Sequence, residues 1–197
     1  MSSLTKSLSY LFISKVRIKS IKYFIFNPDV PIHLRGAVRE LKEEINAVRR
    51  ELSRLETIGF VNKEARGNRI YYSLNFDYHF LPELMGMFHK TFGLGGLIVD
   101  NKDKLGELQF ALLTSSYVRG AKLGGHDVDL VLVGQIEMNV LAEMVAEAEK
   151  KLGREVNYTV LKGSEFVLRK KRRDAFVQEL LMSEKIVLVG NPADLVN

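Results

Sequence analysis

The 197-residue chain contains no cysteine, so disulfide bonds and zinc–thiolate sites are excluded, and its redox compartment leaves no trace. Its four histidines, His33, His79, His89 and His126, are scattered along the chain, which speaks against a metal-sensing cluster of imidazoles. Long apolar runs are also missing. The longest uncharged apolar stretch, near Gly93 to Val99, falls far short of the ~20 residues that a membrane-spanning helix requires. The apolar patch from Leu8 to Ile13 is cut off by Lys15 and Arg17, which reads against a secretory signal peptide. Neither an internal repeat nor a low-complexity segment is present. These absences lead us to expect a cytoplasmic protein with no membrane partner.

What the chain does contain is ordinary in bulk and uneven in distribution. It is 46% hydrophobic and 27% charged, as a soluble globular protein is, and its length suits two small domains better than one large one. Residues 1–92 carry 15 Lys and Arg against 9 Asp and Glu, a net charge of +6. Residues 93–197 carry 14 against 15, a net charge of −1. A basic half joined to a near-neutral half implies that only the first meets a polyanion.

In the first half, apolar spacing predicts a helix over 8–26 (Leu11, Ile18, Ile21, Phe24), stopped by Asn27-Pro28. A short helix over 33–41 follows. Then comes a helix over 43–58 with Ile45, Val48, Leu52 and Leu55 as its apolar stripe and Gly59 as a left-handed cap. Phe60-Val61 and Ile70–Leu74 read as strands around a basic loop, 62–69. Three helices followed by a hairpin is the order of a winged helix-turn-helix. Opposite the apolar stripe lie Asn46, Arg49, Arg50, Ser53 and Arg54, side chains suited to base edges in a major groove. Lys63, Arg66 and Arg69 in the hairpin would reach phosphates or a narrow minor groove. The plainer alternative is a solvated face on which Arg49 and Arg50 pair with Glu43, Glu44, Glu51 or Glu56. The run 44–52, with Leu55, Gly59 and the Tyr71-Tyr72 strand, resembles the ArsR-like winged-helix regulators over residues 5–80, with Lys42 where those proteins often have glycine. A stripe over 78–92 (Leu81, Leu84, Met85, Phe88) reads as a connecting helix, and such helices often carry a homodimer contact.

In the second half, Ser115-Ser116-Tyr117-Val118-Arg119-Gly120 and Asp127-Val128-Asp129 lie between two apolar runs that read as buried strands. A small-residue turn after a strand can offer backbone N–H groups to phosphate. Two aspartates at i and i+2 of a strand share a face, as a hard Mg²⁺ ion needs. The pattern resembles the minimal members of the nucleotidyltransferase superfamily of DNA polymerase beta type. That resemblance implies a mixed sheet with helices. It places nucleotide phosphates on Ser115, Ser116, Arg119 and Gly120, and Mg²⁺ with a nucleoside triphosphate on Asp127 and Asp129. The family's third carboxylate falls at Asn157, an amide that cannot act as a base at pH 7, and its glycine falls at Ser115. Further on, a helix over 138–152, a strand over 156–161, a helix over 164–182 and a strand over 185–190 complete the pattern. The basic run 169–173 reads equally as a solvated helix face or as an anion contact.

The expectation is therefore an α/β (α+β) protein with two domains, 1–92 and 93–197. It would be a regulator of double-stranded DNA whose second domain binds nucleotide and Mg²⁺ without efficient transfer. Two other readings stay open. One is a working nucleotidyltransferase acting on a protein or small-molecule hydroxyl. The other is the antitoxin of a toxin–antitoxin pair.

Overall fold

The computed structural model describes residues 3–119 and 128–196. The fold is α/β, and it divides into two compact units, 1–88 and 89–197. The division falls inside a helix, not at the 92/93 junction expected from composition.

The first unit begins with α1 (Ser3–Phe12) and α2 (Lys15–Phe26). The spacing had suggested one helix here. Two form because Ile13 takes a left-handed φ of 56° and the Ser14 hydroxyl accepts the Arg17 N–H, capping a fresh start. Next come β1 (Ile32–His33), α3 (Leu34–Leu41), α4 (Ile45–Thr57), β2 (Val61–Arg66) and β3 (Arg69–Leu74). The strands form an antiparallel sheet in the order β1-β3-β2. The expected loop over 62–69 is instead mostly strand, because β2 and β3 stay paired out to Arg66 and Arg69.

The ends of α4 follow from local chemistry. Lys42 sits between α3 and α4 in the left-handed region at φ 52°, ψ 50°, the conformation glycine adopts at less cost. Glu44 then caps α4, its carboxylate accepting the Asn46 and Ala47 N–H groups at 2.8 and 2.9 Å. Those bonds, that from Asn46 foremost, hold its carboxyl below the usual range. At the far end Gly59 has φ +78° and the Phe60 N–H returns to the Leu55 carbonyl, as a glycine-capped helix requires. Val48, Leu52 and Leu55 are buried with Ile21, Phe24 and Phe60, each contributing about 1.5–3 kcal/mol of burial free energy, whereas Ile45, expected in the same stripe, is exposed at the first position of α4.

A connecting helix, α5 (Leu81–Thr91), crosses the division. The second unit continues with α6 (Gly93–Asp100), β4 (Gly106–Thr114), α7 (Ser115–Arg119) and β5 (Leu130–Ile136). It ends with α8 (Met138–Leu152), β6 (Tyr158–Leu161), α9 (Gly163–Lys171), α10 (Ala175–Met182), β7 (Lys185–Val189) and α11 (Pro192–Val196). The sheet order is β6-β5-β4-β7. It is mixed, since β5 and β6 run parallel while the other pairs are antiparallel. Leu112, Val131, Val133, Leu161, Phe166, Val177, Leu180 and Leu195 form one core cluster.

Several expected boundaries move. Residues 115–119 make a short helix rather than an open turn, and β5 starts at Leu130, so Asp129 precedes the strand. The strand expected over 156–161 begins at Tyr158. The helix expected over 164–182 breaks at Arg173, whose φ is 54°, and restarts when the Asp174 carboxylate accepts the Val177 N–H.

Candidate nucleic-acid interface and the Asp129 site

Helical geometry puts Asn46, Arg49, Arg50, Ser53 and Arg54 on the side of α4 away from its buried stripe, and all five are exposed. The four neighbouring glutamates decide what these side chains can do. Glu43 pairs with Lys19 of α2 at 2.6 Å, and that hydrogen bond lowers its pKa. Glu44 is spent on capping α4. Glu51 is buried, held by Arg17 at 2.7 Å with Arg54 at 3.6 Å. Glu56 takes Lys63 of β2 at 3.2 Å. Arg49 donates to the Asn46 amide oxygen at 3.2 Å, and among the described residues neither Arg49 nor Arg50 makes an ion pair. Glu43 and Glu56 are engaged off this face, Glu51 reaches only Arg54 on it, and Glu44, capping the helix, attracts Arg50 and Arg49 without pairing with them.

The hairpin is less open than its sequence suggested. Lys63 is paired with Glu56, and Arg66 with Glu64 at 2.7 Å. Arg66 also lies 5.2 Å from the centre of the Tyr71 ring. Arg69 is exposed and forms no ion pair among the described residues. Pairs this exposed are screened by salt and exchange readily for a phosphate partner.

The second candidate site looks different from its expectation. Gly120 and Asp127 lie outside the described residues. Ser115 and Ser116 are half-buried in the first turn of α7, directly after β4, and Arg119 closes that helix. Asp129 is only 4% exposed. Its two oxygens accept both terminal nitrogens of Arg154, at 3.0 and 3.1 Å, and the Asn157 backbone N–H at 3.0 Å. As placed, this carboxylate does not suit a magnesium ligand, because a cation would first have to displace the guanidinium. Asn157 contributes its backbone, its carbonyl accepting the Asp129 and Leu130 N–H groups at 2.7 and 3.1 Å, while the residue as a whole is exposed. Among the described residues no three acidic or histidine side chains gather to hold a metal.

Arg154 was not apparent from sequence, since 25 residues separate it from Asp129 and no local pattern links the two. Its guanidinium lies 5.3 Å from the centre of the Tyr117 ring, which in turn meets the edge of His89 at 5.7 Å. Burial pushes the Tyr117 phenol up and the His89 imidazole down to about 4.

No known protein family matches this sequence, and neither does any curated protein. Among solved structures, human N-acetylserotonin methyltransferase in complex with SAM aligns with 64% of this chain and 41% of its own, at 11% identity and a TM-score of 0.30. The chain thus spans well under half of that protein, and a likeness this slight carries no argument. No helix among the described residues is long and apolar enough to cross a membrane.

Proposed function

We propose that the protein is a regulator that binds double-stranded DNA, reading it with α4 and holding it with the β2–β3 hairpin. The observation that carries this reading is the diversion of Glu43, Glu44, Glu51 and Glu56 to other partners. It leaves Arg49 and Arg50 exposed and, among the described residues, without an ion pair, with only the longer-range attraction of Glu44. Arginine in that setting can grip a guanine edge through two hydrogen bonds, and asparagine an adenine edge.

The second unit is a nucleotidyltransferase-like module that holds nucleotide weakly and transfers poorly. The Arg154 guanidinium on Asp129 supports the poor transfer, as does the amide at Asn157. A working transferase would release pyrophosphate from a nucleoside triphosphate, and that release should be lost in Asp129→Ala. Turnover of this kind would reject the weak-transfer reading.

Duplex binding followed by fluorescence anisotropy across a salt series tests the first unit. Affinity should fall steeply with salt, with a logarithmic slope of about −0.9 per phosphate neutralised. The Arg49→Ala/Arg50→Ala variant should lose about 1–3 kcal/mol of sequence discrimination per base contact removed. Arg66→Ala should weaken all duplexes alike. Undiminished, sequence-selective binding by the double variant would remove α4 from the interface.

A further inference from the structure

The basic run 169–173 is left unused by either candidate site, and the structure divides it. Arg169 pairs with Glu165 at 2.7 Å, and Lys170 donates to the Leu195 carbonyl at 2.8 Å. Lys171, Arg172 and Arg173 are exposed, and among the described residues their side chains make no ion pair or hydrogen bond. Their acidic neighbour in sequence, Asp174, accepts the Val177 N–H to cap α10. On α9, helical spacing sets Val167, Leu168, Lys171 and Arg172 on the side opposite buried Phe166, with no carboxylate among them. Val167 is 49% and Leu168 47% exposed. The α9 dipole favours cations at this end, which accounts for their charge but not for the two aliphatics beside them.

Each kind of anionic partner meets this face differently. A nucleic-acid backbone would answer the cations and leave Val167 and Leu168 idle, and the face holds no aromatic or amide side chain for a base. A lipid surface needs a deeper apolar face than two half-exposed aliphatics on a nine-residue helix supply. An acidic protein segment that also carries aliphatic side chains answers both halves at once. We infer that the outer face of α9 docks such a segment of a partner protein. Its carboxylates meet Lys171, Arg172 and Arg173, and its aliphatics cover Val167 and Leu168. The chain turns at Arg173, φ 54°, whose N–H returns to the Lys170 carbonyl, keeping the third cation at the end of this face. The docking rests on the second unit alone and does not depend on the DNA-binding reading.

The test titrates the full chain with a synthetic peptide of Glu, Leu and Ala whose glutamates and leucines share one helical face, followed by amide NMR. Saturable shifts should gather at 164–173 and fade as salt screens the charges. Poly-glutamate of the same length should bind there about fivefold or more weakly, and Val167→Ser/Leu168→Ser should weaken the peptide by a similar factor. Lys171→Ala/Arg172→Ala/Arg173→Gly should bind the peptide about tenfold or more weakly. Glycine suits the left-handed turn and the other two positions are exposed, so this variant keeps the fold. Equal binding of poly-glutamate, full binding by either variant, or no saturation would each overturn the docking. A short DNA duplex and phosphatidylserine vesicles are the rival probes. Tighter engagement of either at 164–173, lost in the triple variant, would assign this face to nucleic acid or membrane and overturn the inference. Duplex shifts confined to the first unit, and vesicles that leave 164–173 unmoved, support it.

Discussion

Two buried carboxylates, Glu51 and Asp129, show how this chain spends its arginines. Each is reached by a guanidinium from a distant segment, Arg17 for the first and Arg154 for the second. A buried carboxylate without a partner is costly, so removing the arginine does more harm than losing a surface pair. Arg154 is about a third exposed, so its loss should fall below the 3–5 kcal/mol typical of a wholly buried pair, at roughly 2–3 kcal/mol. Arg154→Ala should therefore lower the urea midpoint clearly, and Arg154→Ala/Asp129→Asn should recover part of the loss. Equal destabilisation in the two variants would show that the pair is not what holds this end of β5. The same residues explain what the sequence concealed. An aspartate two positions from another looks like a metal ligand until its long-range partner is known, and nothing near Asp129 in sequence announces Arg154.

Among the elements, those with a strong apolar period were legible and those interrupted by a single backbone conformation were not. The α4 stripe, the Gly59 cap and the α8 helix closed by Gly153 were readable because one repeat of 3.6 runs from cap to cap. The breaks at Ile13 and Arg173 were hidden, because left-handed φ at a non-glycine residue leaves no compositional mark. The α6 helix was also not foreseen in the apolar stretch from Gly93 to Val99, although Gly95 and Gly96 are buried within it. The β4–β5 pair offers a sharper case. Its register shifts between Leu108 and Phe110, opposite Gly134, which has φ +146°. A Cβ at Gly134 would lie 2.1 Å from the Glu107 carbonyl oxygen, a backbone atom that cannot step aside cheaply. Gly134→Ala should destabilise the second unit by about 3 kcal/mol or more, or prevent its folding, because strained backbone adds to the overlap. A near-normal unfolding curve for this variant would mean that the bulge relaxes at little cost.

At the scale of the whole molecule, charge and titration separate the roles of the two halves. The excess of cations lies within residues 1–92, where the proposed DNA face is, so ionic strength should govern binding more than stability. Stability should instead respond to pH through His89, buried at the start of the second unit against Tyr117. In the unfolded chain this imidazole takes a proton near its ordinary 6.5, whereas in the folded chain burial lowers its pKa to about 4. As pH falls from 6.5 toward 4 the unfolded state gains a proton that the folded state refuses, and stability declines. The slope reaches at most about 1.4 kcal/mol per pH unit, giving a total near 3 kcal/mol, and below pH 4 this group adds nothing more. Glutamates such as Glu43, Glu44 and Glu64, whose pKa values folding lowers, contribute their own acid losses only near and below their ordinary 4.5. Among the described groups whose pKa folding shifts, His89 is the one that titrates between 6.5 and 4.5. Urea unfolding across that interval should show the decline in the native sequence and a nearly flat profile in His89→Phe, which keeps a ring against Tyr117 without a titrating nitrogen. An equal decline in both would assign the acid sensitivity to another group.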